Sequence, residues 1–559
     1  MKNINKTLSF VFFVFILLNT LTCAKRASPT GGPRDSIPPI LINASPKLNT
    51  VFFDKKEITL TFDEFITLEK INKQLIISPP LESDEYKVYP TTGASKKVTL
   101  KFLDTLLENT TYTFNFGESI VDFNESNPSP YLTYTLSTGK TIDSLHIRGR
   151  IIDAFEKQTE RFISLQMYPV DSIFNDSTIY TDKPLYVSST LDTTIYEFQN
   201  LRAGKYAIIA LEDKTGNYYF DQNIDKIGYL DHLITLPQDS IIDFRLFKER
   251  RNFSWDRANF VNNHHIALAY FGERKEETFK MVSKVPNSYE SLVTKSRVSD
   301  TLSYWFKGAE LDSLQFEFEI EDTLRTKTVF FKNPVKDSLV VSKFTSGSLG
   351  LKNKLELDSN LPITEVNSDK VIVTNVDTLQ VPASLKIQKN YDRVMIDFEV
   401  LPNDRYEITL LPDALKDFWG ETHDTLVFRT STKKIEDYGN IYLRVQDDSE
   451  DSFIIELLSN NKVVRSYDTP IEGNNYPFEL LKSGKYIVRL IRDSNGNKNW
   501  DTGNYLQKIQ PEEVIYYWKE IDLRANWDMN ETFNTARNYP DPPENAIVSD
   551  VTEALDDPN

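Results

Sequence analysis

The chain has 559 residues, too many for one hydrophobic core at the usual ~100–200 residues per domain, so several domains are expected. Forty per cent hydrophobic residues, 12 % of the chain being aromatic, exclude a disordered polymer, and the supply of Tyr, Phe, Val, Ile and Thr favours sheet over helix. A formal charge of −18, with no Lys/Arg stripe interleaved with aromatics, excludes nucleic acid as a partner and instead suits solubility.

Residues 1–22 read as a signal peptide. Lys2 and Lys6 supply positive charge ahead of an apolar run from Leu8 to Leu18, which is shorter than the about 20 residues that span a bilayer. Cys23 is the chain's single cysteine, so neither an internal disulfide nor a multi-cysteine metal site can form. Its place after Asn19-Thr20-Leu21-Thr22 resembles the lipobox of bacterial lipoproteins, although Thr20 and Thr22 stand where that pattern prefers Leu and a smaller residue. The resemblance implies acylation of Cys23 and a membrane as partner, since several acyl chains at ~0.8 kcal/mol per buried CH₂ hold stably. A secreted protein with an incidental thiol has the same letters.

Residues 23–38 form a Pro-, Gly- and Ser-rich tether. From 39 to 140, alternating runs such as Ile58–Phe62, Lys97–Phe102 and Thr111–Phe116 predict a sandwich with one wet face per sheet. A second β unit is expected over 142–250, an intervening β domain over 251–342, a second copy of the first unit over 343–433 and a second copy of the second over 434–526. An acidic, Pro- and Asn-rich tail, read as unstructured, occupies 527–559. The duplication rests on Leu201-Arg202-Ala203-Gly204-Lys205-Tyr206, which returns as Leu481-Lys482-Ser483-Gly484-Lys485-Tyr486, 280 positions on. The register holds through Asp221 and Asp501. Fainter echoes join Asn109–Phe114 to Asn403–Ile408, and Asp122-Phe123 to Asp417-Phe418.

The first unit, with Ile42-Asn43-Ala44-Ser45-Pro46 and Phe62-Asp63-Glu64, resembles the bacterial Ig-like domain described in S-layer proteins. The unit over 343–433 is a weaker echo, having Leu357-Asp358 at the acidic strand. The Leu-x-x-Gly-x-Tyr units resemble the transthyretin-like or carboxypeptidase-regulatory-like sandwich. Together these resemblances imply an all-β, multi-domain string of Ig-like and transthyretin-like β-sandwiches. With the lipobox they resemble lipoproteins of the Bacteroidetes, which implies a cell envelope location, at the outer membrane, periplasmic or surface-exposed.

One loop carries candidate chemistry. Asp493, Asn495, Asn497 and Asp501 place oxygen at positions 1, 3, 5 and 9, the spacing by which a loop wraps calcium. Lys498 at position 6 and Asn504 at position 12 depart from the EF-hand pattern, and a hairpin turn uses the same residues. Asp213, Thr215, Asn217 and Asp221 are the matching, poorer set. Calcium is thus the one cofactor to consider. The five histidines, His146, His232, His264, His265 and His423, form no His-Glu-x-x-His motif, and no nucleophile elbow or phosphate loop occurs. No catalysis is expected. Asp-Ser/Thr-apolar triplets, with acceptors Ser36, Thr105, Ser144, Ser172, Ser240, Ser313 and Ser338, resemble the Bacteroidetes O-glycosylation site; a turn feeding a strand has the same letters. Trp255, Trp305, Trp419, Trp500 and Trp518 are candidates for stacking on sugars or for packing.

The expectation is therefore a membrane-anchored envelope lipoprotein acting as a structural or protein-interaction scaffold, its partner another envelope protein or a glycan. The alternatives are a carbohydrate-binding lipoprotein of a glycan-uptake system, an accessory subunit of an outer-membrane assembly or secretion complex, and a hydrolase whose carboxylates meet only in the fold.

Overall fold

The period-two runs become strands in the computed structural model, which describes residues 35–537 apart from 130, 172, 238–240, 263, 273–278, 309–310, 321–322, 332–336, 345–346, 450 and 470. Cys23, the signal peptide and most of the tether lie outside the described residues. Five sandwich units follow one another among those that are described.

Unit one runs from the strand Leu41–Ser45 to the strand Thr133–Ser137. Its long strand Glu57–Leu68 pairs Leu41–Ser45 on one side and Ser95–Phe102 on the other, and its far end takes Ile120–Asp122. The facing sheet is Ile76–Ser78, Thr111–Asn115 and Thr133–Ser137. Alternation along Ile58, Leu60 and Phe62 sends every second side chain into a core with Val98, Leu100, Phe114 and Tyr134. Unit four, Val341–Lys343 to Leu426–Ser431, repeats this layout. Leu355–Ser359 lies between Val341–Lys343 and Arg393–Phe398, and Ile363–Val366 pairs Leu415–Asp417.

Units two and five are a second matched pair. In unit two the strand Leu145–Asp153 lies between Ile195–Leu201 and a final strand, Phe244–Leu246, that runs parallel to it. The other sheet has the order Tyr186–Ser189, Ser164–Pro169, Gly204–Glu212, Lys226–Tyr229, with Ile234–Leu236 on Gly204–Glu212. In unit five Tyr438–Gln446 lies between Asn475–Lys482 and a parallel Asp528–Asn534. Its second sheet runs Lys462–Tyr467, Ser452–Ser459, Gly484–Asp493, Val514–Tyr516, with Ile521–Leu523 on Gly484–Asp493. The strand Asp528–Asn534 corrects the reading of everything after 526 as tail. Its acids and asparagines mask a strand in which Met529 packs on the core and Phe533 is fully buried in it.

Unit three, Ser254–Asn262 to Thr323–Phe330, packs a four-stranded sheet on a three-stranded one around Ile266, Leu268, Tyr304, Leu314 and Phe316. Among the described residues, no helix is long and apolar enough to cross a membrane.

Candidate functional site

The two Asp/Asn loops leave equivalent strands, Gly204–Glu212 and Gly484–Asp493. Each is a hairpin turn wound around its first aspartate. Asp213 accepts N–H bonds from Thr215 and Gly216 through Oδ1 and from Tyr218 through Oδ2, at 2.7–3.1 Å. Asp493 accepts from Asn497 at 3.0 Å and Lys498 at 2.9 Å. Asn495 and Asn497 turn their amide nitrogens on Asp501, at 2.5 and 2.6 Å, while the side-chain oxygen of Asn217 accepts from Tyr219 N–H and that of Asp221 from Asn223 N–H. Oxygens that a cation would need to converge are thus acceptors for their own loop. Among the described residues no group of three or more His, Cys, Asp or Glu side chains could hold a metal ion.

A third acid closes each loop, and the spacing pattern does not reveal it. Asp225 accepts Lys214 N–H and Asp221 N–H, at 3.0 and 2.8 Å; Glu512 accepts the equivalent Ser494 N–H and Asp501 N–H, at 2.9 and 3.0 Å. Asp225 is fully buried, and burial raises its pKa despite those donors. It sits four residues past Asp221, whereas Glu512 sits eleven past Asp501. The seven additional residues in unit five are the structural novelty.

That longer segment reaches across to unit two. Tyr505 N–H donates to Glu249 at 2.5 Å, Thr502 Oγ1 to the Lys248 carbonyl at 2.7 Å, and Lys508 pairs with Asp176 at 2.7 Å. The Tyr505 ring packs edge-on to Tyr229, with centroids 5.2 Å apart, inside a cluster with Tyr168, Phe220 and Phe247. Gly503 is required by this approach, since a Cβ there would lie 2.7 Å from the Phe247 ring. Trp500 packs at a tilt of 41° against Phe155, with ring centroids 4.6 Å apart, and Tyr516 donates to the Phe155 carbonyl.

An ion triad under each loop joins the two sheets. In unit two Lys226 reaches Asp153 at 2.5 Å and Glu212 at 4.0 Å. In unit five Arg492 makes two bonds to Asp447, at 2.8 and 2.9 Å, and one to Glu513 at 2.9 Å. Burial alone would lower the Lys226 pKa, but its bond to Asp153 and the surrounding acids raise it. Bonding to Asp447 raises Arg492 further, and Glu513 is held low by Arg492 and Arg245 against the effect of its own burial.

The remaining sequence candidates scatter. Ser36, Thr105, Ser144 and Ser338 are exposed, Ser313 is half-buried at the start of a strand, and Ser172 and Ser240 lie outside the described residues. Thr105 N–H and hydroxyl both turn back on Asp104. His265 stacks flat on Trp305 at 3.8 Å while His264 contacts Phe306, so the adjacent pair does not chelate.

Residues 35–138 match the family model of the bacterial Ig-like domain. That covers unit one, which is similar to this domain; no curated protein matches the chain. Among solved structures the chain is similar to BcpA, the major pilin subunit of Bacillus cereus, at 11 % identity over 70 % of this chain and 99 % of that one, with a TM-score of 0.14. It is likewise similar to domains 4–9 of the surface layer protein SbsC (12 % identity, 79 % and 65 % covered, TM-score 0.18). The BSP domain of a biofilm-associated protein follows (9 %, 64 % and 96 %, 0.15). At such TM-scores the whole chains do not superpose.

The tryptophans, all of them outside unit one, divide sharply. Trp255 packs on Phe318 in the core of unit three, Trp305 is buried between units three and four, and Trp419 and Trp500 are half-buried at unit contacts. Trp518, 65 % exposed, and Trp527, 52 % exposed, are what remains for a ligand.

Proposed function

We propose that the chain is a non-catalytic scaffold of the cell envelope, held at a membrane through acylated Cys23 and presenting its sandwich units to another envelope component. The observation that carries this reading is the docking of unit five on unit two through the segment around Tyr505. A molecule whose fifth unit grips its second is built to hold a shape, and its loop carboxylates, where an enzyme would place its acids, are engaged in turns and in ion triads between sheets. The likeness of residues 35–138 to a bacterial Ig-like domain supports the same reading. Replacing Cys23 with Ser should move the protein from the membrane fraction to the soluble one; continued membrane association overturns the anchor.

Glycan capture is the second reading, and the exposed Trp518, with Lys519 5.3 Å over its ring, is what favours it. Binding to a glycan array that Trp518→Ala abolishes would transfer the assignment to a carbohydrate-binding lipoprotein; a blank array leaves the scaffold.

A further inference from the structure

Unit four meets unit three through the turn that follows its strand Leu415–Asp417. Asp417 gathers the N–H groups of Trp419 and Glu421, and Phe418 N–H donates to the Pro362 carbonyl at 3.0 Å. Phe418 is 7 % exposed, clustered with Trp305 and Leu361. Lys307, the last residue of a unit-three strand, lies 4.6 Å over the Phe418 ring and donates to its carbonyl at 2.8 Å. Trp419 Nε1 donates to the Phe306 carbonyl.

Unit one contains the same turn. Asp122 gathers the N–H groups of Asn124, Glu125 and Asn127, and Phe123 N–H donates to the Phe65 carbonyl at 2.9 Å. Ile66 opposes Asp122 as Ile363 opposes Asp417. No unit precedes this one among the described residues, and Phe123 and Phe65 are 54 % and 55 % exposed. Glu64 stands where unit four has Leu361, and Asp63, Asp122, Asp35 and Glu125 act on it closely enough to raise its pKa after burial has done so. One cation of unit one is already here: Lys96 lies 5.6 Å from the Phe65 ring centroid and donates to the Asp63 carbonyl.

We propose that this end of unit one docks a separate protein, which seats the end of a β-strand carrying a lysine or arginine on Phe65 and Phe123 as Lys307 is seated on Phe418. The paired aromatics supply the apolar contact and a cation–π face, and the surrounding carboxylates select a basic partner. A second copy of this chain is disfavoured, because its charge of −18 sets like against like. The proposal deepens the scaffold reading, on which it rests, by naming the partner's chemistry.

The test places a photo-cross-linking phenylalanine analogue at Phe123 of the full chain in its native cells and sequences the linked peptides. The expected product is one other protein, linked through an extended segment with a Lys or Arg beside the link. Glu64→Lys should cut its yield roughly tenfold, as expected for an opposed charge, with the melting temperature unchanged. Links confined to lipid, to a second copy or to the chain's own residues 1–34, or a fully membrane-associated protein with no link, would overturn the docking surface while leaving the anchor intact. Loss of membrane association would sink the scaffold reading itself.

Discussion

Units two and five share a strand order and a duplicated sequence, yet they solve the same electrostatic problem with opposite signs. In unit two the acid Glu212 sits on the long strand and the cation Lys226 opposite it; in unit five the cation Arg492 sits on the long strand and Glu513 opposite. The second carboxylate comes from the end of the first strand in one case, Asp153, and just past it in the other, Asp447. What persists through the duplication is the tie between sheets, not the residue types that make it. The second difference is the seven-residue longer segment, which turns unit five from a copy into a clasp on unit two.

The largest effect should come from breaking the triads. Arg492→Met strands the Asp447 carboxylate, which is shut away from solvent, and should cost unit five about 3–5 kcal/mol in denaturant unfolding. Lys226→Met should cost less, because Asp153 keeps the N–H groups of Phe155 and Glu156 as donors and Glu212 keeps Lys214 as a partner. Equal losses would mean that these partners do not offset the lost cation.

Next is the clasp. Tyr505→Ala removes a buried ring from the contact between the two units, a truncation of the kind that costs about 3 kcal/mol. The loss should appear as decoupling, with units two and five melting in two calorimetric steps where the parent shows one. A single lowered step would place the ring's contribution within unit five alone.

Acid should separate the two units in a fixed order. Asp447 and Glu513 are held below their ordinary values in the fold, so the stability they contribute is present above the unfolded carboxylate range and is lost as pH falls through their folded pKa values. Asp225 is raised in unit two, so the folded state takes up its proton first and unit two gains stability as pH falls through that range. In the uncoupled Tyr505→Ala protein, below about pH 4, near the ordinary carboxylate pKa, unit five should therefore unfold before unit two, as read by hydrogen exchange in peptides from each unit. Simultaneous loss would show that other carboxylates dominate.

Much of this was legible in the sequence because β-sandwiches write their cores with period two. Ile58, Leu60 and Phe62 announced both strand and face, and the repeated Leu-x-x-Gly-x-Tyr strand announced the duplication. The clasp was not legible, since seven additional residues in a loop look the same whether they hang in water or grip a neighbour. The triads were hidden because Asp153 and Asp447 meet their cations across 73 and 45 residues of chain. Trp255 and Trp305 carry the same letters whether they are platform or packing, packing being the commoner use in sandwiches, and it is the burial of their surroundings that decides. The strand Asp528–Asn534 was lost to composition: its acids spoke louder than the alternation of Met529 and Phe533.

The smallest expected effect bears on the loops themselves. Calcium would stabilise the fold by RT ln(1 + [L]/Kd), about 2.7 kcal/mol at a hundredfold excess over Kd, so removing it would lower the melting temperature by several degrees. Asp493 and Asp213 already serve as the acceptors around which their turns close, and Asn495 and Asn497 present nitrogen to Asp501. A chelator should therefore leave the shared melting step of units two and five within about a degree of its starting value. A drop of several degrees, absent in Asp501→Asn, would show instead that the amides rotate to put oxygen inward and that the longer loop evolved around an ion.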